Sequence, residues 1–161
     1  MLAKKALEVY LNDHLAGSVA AIEIIDQSRE QNEGTELAAF LDSLGAEIRA
    51  DQEDLRRLME KLEIGTSPVK QATTWVGEKF SRLKFLTTGG TRPELRSMQE
   101  LEVIELGVQG KHGLWLALQQ VADLDARLDG AELVRLRERS ERQIADIEGR
   151  RLELAKLALS E

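Results

Sequence analysis

The chain has 161 residues, two prolines, no cysteine and a formal net charge of −7. This length fits one domain, residues 1–161, and the lack of cysteine excludes disulfides, thiolate nucleophiles and zinc–thiolate sites. The acidic balance argues against nucleic acid and anionic membrane surfaces as partners. No apolar run reaches the ~18 residues that a membrane span needs, and the charged N-terminus is unlike a signal peptide, so we expect a cytoplasmic protein.

The first half of the chain contains two long predicted helices. Apolar residues recur at helical spacing from about residue 2 to residue 28, which predicts the first helix. The second begins after the capping residue Thr35 and ends near Leu62, with Gly65 as its C-terminal glycine. A shorter third helix then begins at Pro68 and ends near Leu86.

The fourth predicted helix, from Pro93 to about Leu124, is apolar on two sides. Its main apolar face carries Val103, Leu106, Gly110, Leu114, Ala117, Val121 and Leu124, and the opposite side carries Leu101, Val108, Trp115 and Leu116. A helix that is apolar on two sides is buried on two sides, which places it at the centre of the fold or at a dimer interface. Three glycines, at 107, 110 and 113, predict close approach of another helix; a kink or π-bulge is the alternative.

The fifth predicted helix begins at Asp129 or Gly130 and continues to the C-terminus. Short connections make the first and second helices, and the fourth and fifth, antiparallel neighbours. Residues 64–92 are too many for a tight turn, and their helix is long enough to span most of a bundle. We therefore predict an all-α, ferritin-like four-helix bundle with an additional shorter crossover helix between the second and third long helices. A five-helix up-and-down array is the competing layout.

Three stretches carry a resemblance to a known group of proteins: YLNDHLAGS, EIRADQEDLRRLMEKLEI and LEVIELGVQGKHGLWLAL. Together they resemble an uncharacterised family of small bacterial helical proteins that is itself similar to the ferritin-like superfamily. The similarity covers nearly the whole chain. It implies a fold rather than an activity, because the family brings no assigned substrate and no catalytic residue.

The histidines do not fit the di-iron chemistry of such bundles. A carboxylate-bridged di-iron site needs an inward Glu from each of two helices and a Glu-x-x-His motif from each of the other two. The residues three positions before His14 and His112 are Leu11 and Gln109, so the motif is absent at both. We predict an incomplete di-iron site, no cofactor and no catalytic residue.

His14 nevertheless lies in the apolar stripe of the first helix. It stands 19 residues before the turn near Glu33, and Asp51 stands 18 after it, close to the apolar stripe of the second helix. The two side chains should lie at the same height, so we predict a buried polar pair that sets helix register. The alternative adds Glu47 and gives a site for a divalent metal (iron, manganese or zinc) in a metal-binding protein or oxidase.

A second polar cluster is predicted on the fourth helix, where Glu105, Gln109 and His112 share a face and offer ligands to a divalent ion. The leading functional interpretation is a non-enzymatic structural or interaction protein, a homodimer with an unidentified protein partner. A further alternative is a small-molecule-binding bundle, with a pocket beneath the third predicted helix and near the glycines of the fourth. An apolar cavity near Gly107 and Gly110 favours it, whereas tight packing there argues against it.

Overall fold

The computed structural model describes residues 1–66 and 92–161, and this part of the chain forms four long helices without a strand. The helices are α1 (Lys4–Gln31), α2 (Glu36–Lys61), α3 (Pro93–Gln119) and α4 (Gly130–Leu159), and a 3₁₀ turn, Ala122–Leu124, follows α3. The predicted all-α class is therefore confirmed. The predicted third helix lies outside the described residues. None of the described helices is long and apolar enough to cross a membrane.

Two predicted helix starts are confirmed by their caps. The Thr35 hydroxyl accepts a hydrogen bond from the Ala38 amide at 3.3 Å. The Asp129 carboxylate accepts bonds from the amides of Ala131 and Glu132 at 2.9 and 3.3 Å. Each cap satisfies amide groups that have no partner inside the helix.

The end of α2 differs from the prediction, because Glu63 rather than Gly65 takes the left-handed conformation. Glu63 has φ 55°, and its amide donates to the Glu60 carbonyl at 2.9 Å. The Ile64 amide donates to the Met59 carbonyl, also at 2.9 Å. This pair of bonds is the Schellman arrangement, and the apolar contact that accompanies it brings Ile64 and Met59 into the core.

Side-chain contacts fix the direction of each helix. Ser28, late in α1, bonds Glu100, early in α3, whereas Ala21 lies near Gly107, so α1 and α3 are antiparallel. The other neighbouring helices are antiparallel as well. Gln52 of α2 bonds Ser18 of α1, and Lys61 of α2 bonds Glu132 of α4. Arg151 of α4 bonds Glu105 of α3. Hence α1 and α4 run one way and α2 and α3 the other. The end of α2 and the start of α3 therefore lie at opposite ends of the bundle.

The buried apolar side chains of the described helices form two separate clusters. One contains residues such as Leu11, Leu58, Trp115 and Leu133, and the other contains residues such as Ile25, Leu41, Ile104 and Ile147. Between them lie the buried polar side chains Asp51, Gln52, Asp54 and Gln143. A polar layer therefore divides the core at mid-bundle.

The main apolar face predicted for α3 is wrong. Its buried side runs through Leu101, Ile104, Val108, Trp115 and Leu118, whereas Leu106, on the predicted main face, is 68% exposed. Close packing at the glycines is not found among the described residues. No atom of theirs lies within 4 Å of where a Cβ would stand at Gly110 or Gly113, and at Gly107 the nearest is Ala21 Cβ at 4.0 Å.

Candidate ligand cavity

A cavity of about 610 Å³ lies between α1, α2 and α3, where the two apolar clusters meet the polar layer. Much of its wall is apolar and comes from both clusters: Ile25, Ile48, Leu55, Ile104, Leu114 and Trp115. Pockets for small molecules measure roughly 300–1,000 Å³ and are lined mainly by apolar groups with a few polar ones. The space therefore has the size and lining of a small-molecule site.

Glycines open the cavity between α1 and α3. Gly17, Gly107 and Gly110 all belong to its wall, and none would bring a Cβ closer than 4.0 Å to another described helix. Because these positions carry no side chain, a cleft remains between α1 and α3. In other pairs of helices, side chains fill this space. The exposed wall residues Tyr10 and Leu106 mark its entrance.

His14 is a half-buried polar group on this wall. The Tyr10 ring stands edge-on to its imidazole, with the ring centroids 4.7 Å apart. Burial lowers the pKa of His14, and the nearby Asp13 carboxylate opposes this effect only in part. The imidazole is therefore neutral at neutral pH, with one nitrogen as donor and the other as acceptor. Neither nitrogen has a hydrogen-bond partner among the described residues.

Asp51 lines the same cavity but takes other partners than the predicted one. It forms ion pairs with Lys111 of α3 and Arg139 of α4, and it accepts a hydrogen bond from the Gln143 amide at 3.1 Å. His14 and Asp51 both line the cavity. The direct His14–Asp51 bond is absent: Lys111 and Arg139 reach the carboxylate instead, and burial disfavours a charged imidazole.

The polar layer continues from Asp51 as a network in which charges compensate one another. Asp54 is buried and pairs with Arg139 and Arg57. Burial lowers the pKa of Lys111, and the nearby Asp51 carboxylate offsets only part of this effect. Burial also opposes the charge of Arg139, but the hydrogen bond to Asp54 and the attraction of Asp51 outweigh it and raise its pKa. The two buried carboxylates thus face the enclosed cations Lys111 and Arg139, and the more exposed Arg57 is a third partner.

Sequence reasoning missed Lys111, Arg139 and Gln143. The signal was present for two of them, because Lys111 lies on the line of Val108 and Trp115 in α3, and Gln143 lies between Leu136 and Ile147 in α4. Val108 and Trp115 lie on a side of this helix that was predicted to be apolar and buried, but the charged Lys111 between them was not assigned to that side, so its contact with Asp51 was not predicted.

The structure does not assemble the predicted metal candidates. Glu47 is exposed and accepts a hydrogen bond from Gln143 at 3.0 Å. Within residues 1–66 and 92–161, no group of three or more His, Asp and Glu side chains is placed to hold a metal ion. Asp51 is already engaged by two cations.

The predicted cluster on the fourth helix is divided among different partners. His112 lies 3.2 Å from a carboxylate oxygen of Glu141, and Arg151 donates to Glu105 at 3.0 Å. Gln109 is exposed. Two of the three side chains thus bind α4 and help to fasten it to α3.

A second buried polar contact, also missed from the sequence, joins α1 to α3 near one end of the bundle. The Ser28 hydroxyl donates to Glu100 at 2.6 Å, and both residues are buried. Burial raises the pKa of Glu100, while the Ser28 bond and the charge of Arg96 act in the opposite direction. The carboxyl group lies away from the cavity wall and serves as a tie between helices.

The wall of the cavity offers apolar contact together with hydrogen bonding from a neutral imidazole. A molecule held there would lie between three helices, near a network in which each buried charge is paired with an opposite one. The chain matches no protein-family model, no curated protein and no solved structure.

Proposed function

We propose that this protein is a non-enzymatic, ferritin-like helical bundle that binds a small, largely apolar molecule in its central cavity. The observation that carries the proposal is the space of about 610 Å³ between the two apolar clusters. Protein interiors are close-packed and their voids are usually little larger than a water molecule. A space of this size that reaches between three helices is large enough to hold a small molecule.

The direction of the helices supports the ferritin-like part of the proposal. In that topology the second and third main helices run in the same direction and are joined by one long crossover. The end of α2 and the start of α3 stand at opposite ends of the bundle, as that connection requires. The number of residues between Lys61 and Pro93 is sufficient for it.

The state of the buried acids favours ligand binding over a metal-centred oxidase. Asp51 and Asp54 are held by Lys111, Arg139 and Arg57. A metal ion would have to displace these cations, whereas an apolar molecule would leave them in place. The apolar wall offers such a molecule the hydrophobic stabilisation that accompanies burial, roughly 25 cal/mol for each Å².

The proposal is tested by titration with N-phenylnaphthylamine, a neutral probe whose fluorescence increases in apolar surroundings. We expect saturable binding at one site per chain. Gly107→Phe directs a ring towards α1 and into the cleft, so it should weaken binding at least about tenfold, a change of ~1.4 kcal/mol.

Gly149→Phe is the matched control, because Gly149 is an exposed helical glycine with no described neighbour within 4 Å of its Cβ position and lies outside the cavity wall. This variant should bind the probe as the unaltered protein does. Absence of saturable binding, or equal weakening in the two variants, would contradict the proposal.

A further inference from the structure

The cavity also restricts the charge of its occupant, an inference that rests on the proposed function. The ionisable side chains of the described wall are Tyr10, Asp13, His14, Asp51 and Lys111. Lys111 donates hydrogen bonds to the Asp51 carboxylate and to the side-chain oxygen of Gln143. Asp51 forms ion pairs with Lys111 and Arg139. Neither buried ion has a free counter-charge to offer to a ligand.

A ligand charge of either sign would therefore be costly. An anion would approach a protein of net charge −7, past the exposed Asp13 carboxylate, and would find Lys111 already paired. A cation would find Asp51 paired with two protein cations, and exposed Asp13 compensates weakly because solvent screens it. An ion transferred into a mostly apolar site without a partner loses its hydration and gains little in return.

Hydrogen bonding, in contrast, is available at His14. Its imidazole lines the cavity, is held edge-on by Tyr10 and bonds no described side chain. A neutral imidazole presents one donor and one acceptor, both of which are partly removed from water. Ser18 on the same wall is already occupied, since it donates to the Leu15 carbonyl at 2.6 Å and accepts from Gln52 at 2.7 Å.

We propose that the ligand is an uncharged molecule with an apolar body and one hydroxyl, carbonyl or amide group, and that this group bonds the His14 imidazole. The apolar body lies against Ile48, Leu55, Ile104 and Leu114, and the polar group faces α1. Selection against charge arises because Asp51 and Lys111 are already paired with opposite charges of the protein. His14 supplies the orientation of the ligand.

The test uses four competitors that share one ring system: naphthalene, naphthylmethanol, naphthoate and naphthylmethylammonium. Each displaces N-phenylnaphthylamine from the full chain at neutral pH. We expect naphthylmethanol to bind at least about tenfold more tightly than either ion, because each ion loses hydration without gaining a partner. Tighter binding of naphthoate or naphthylmethylammonium than of naphthylmethanol would overturn the inference.

The role of His14 is tested with His14→Leu, with His112→Leu as the matched control outside the cavity wall. His14→Leu should weaken the binding of naphthylmethanol about fivefold, the effect of one lost hydrogen bond. The affinity for naphthalene should change by less than about twofold, which also shows that the cavity is intact. Equal effects on the two ligands would overturn the assignment of His14. If the probe binds but no competitor displaces it, the ligand class is wrong while the binding function stands; if the probe itself does not bind, both fail.

Discussion

Asp51 contacts cations from two other helices, Lys111 and Arg139, and accepts a further hydrogen bond from Gln143. A carboxylate with 2% exposure is tolerated at mid-bundle because these partners replace the water that it loses. The same contacts tie α2 to both α3 and α4. Removing the acid would leave two enclosed cations without their shared partner.

Asp51→Ala should therefore lower the free energy of unfolding by about 3–5 kcal/mol, the usual effect of breaking a buried ion pair. Urea denaturation followed by circular dichroism measures this change. Glu53→Ala is the control on the same helix, because Glu53 is exposed and its pair with Arg56 is a surface one, worth ~1 kcal/mol at most. Equal losses in the two variants would show that Asp51 contributes no more than a surface acid.

Glu100 gives a prediction about pH. Burial raises its pKa above the ordinary value of 4.5, so the folded protein favours the protonated acid. The stability that protonation adds is fully present below about 4.5 and is lost as the pH rises through the raised pKa. Glu100→Gln, which stays neutral and can still accept the Ser28 hydrogen bond, should increase the melting temperature near pH 7.

The increase caused by Glu100→Gln should shrink near pH 4, where the native acid is itself protonated. Glu102→Gln is the control, since Glu102 is exposed on the same helix. Thermal unfolding of both variants at the two pH values provides the measurement. A gain that is as large near pH 4 as near pH 7 would contradict a raised pKa for Glu100.

At the scale of the helices, the predictability of a buried face depended on how well polar and apolar residues separate. In α2 they separate cleanly, and the apolar residues Leu41, Leu44, Ile48 and Leu55 are all buried. In α3, apolar residues occur on every side, so the pattern indicates no single direction and packing against α1 and α4 decides the face. The exposure of Leu106 is the result that periodicity missed.

The end of α2 supplies a prediction at the same scale. Glu63 has φ 55°, a conformation that is unfavourable for a residue with a Cβ. Glu63→Gly should stabilise the fold by about 0.5–1 kcal/mol, the strain relieved less the additional flexibility of glycine in the unfolded chain.

Glu60→Gly, in the last turn of α2, should instead destabilise the fold by up to ~1 kcal/mol, because glycine is a poor helix former. Chemical denaturation distinguishes the two signs. A loss of stability in Glu63→Gly would mean that the side chain of Glu63, rather than its backbone, matters at this helix end.

At the scale of the whole molecule, the four long helices of residues 1–66 and 92–161, the caps at two of their starts and the antiparallel hairpins follow from local sequence signals, and the cavity does not. Thr35 and Asp129 identify helix starts through bonds to residues two or three positions away. The cavity depends on the relative placement of three helices. It also depends on glycines, because no described side chain fills the space beside them. The same glycines fit both a close contact and an open cleft, and only the assembled bundle distinguishes them. The homodimer stays a prediction, with exposed Leu106 and Leu116 as residues that such a contact would cover.

The central claim is that a small apolar molecule binds beside Trp115, which belongs to the cavity wall. The chain has two tryptophans, so Trp75→Phe leaves Trp115 as the single indole. Titration of this variant with N-phenylnaphthylamine, which accepts energy from an excited indole, should quench Trp115 emission with the same saturation curve as the increase in probe fluorescence. Adding Gly107→Phe should weaken both signals together. Saturable probe binding that leaves Trp115 emission unchanged would contradict the claim, because it would place the probe elsewhere on the protein.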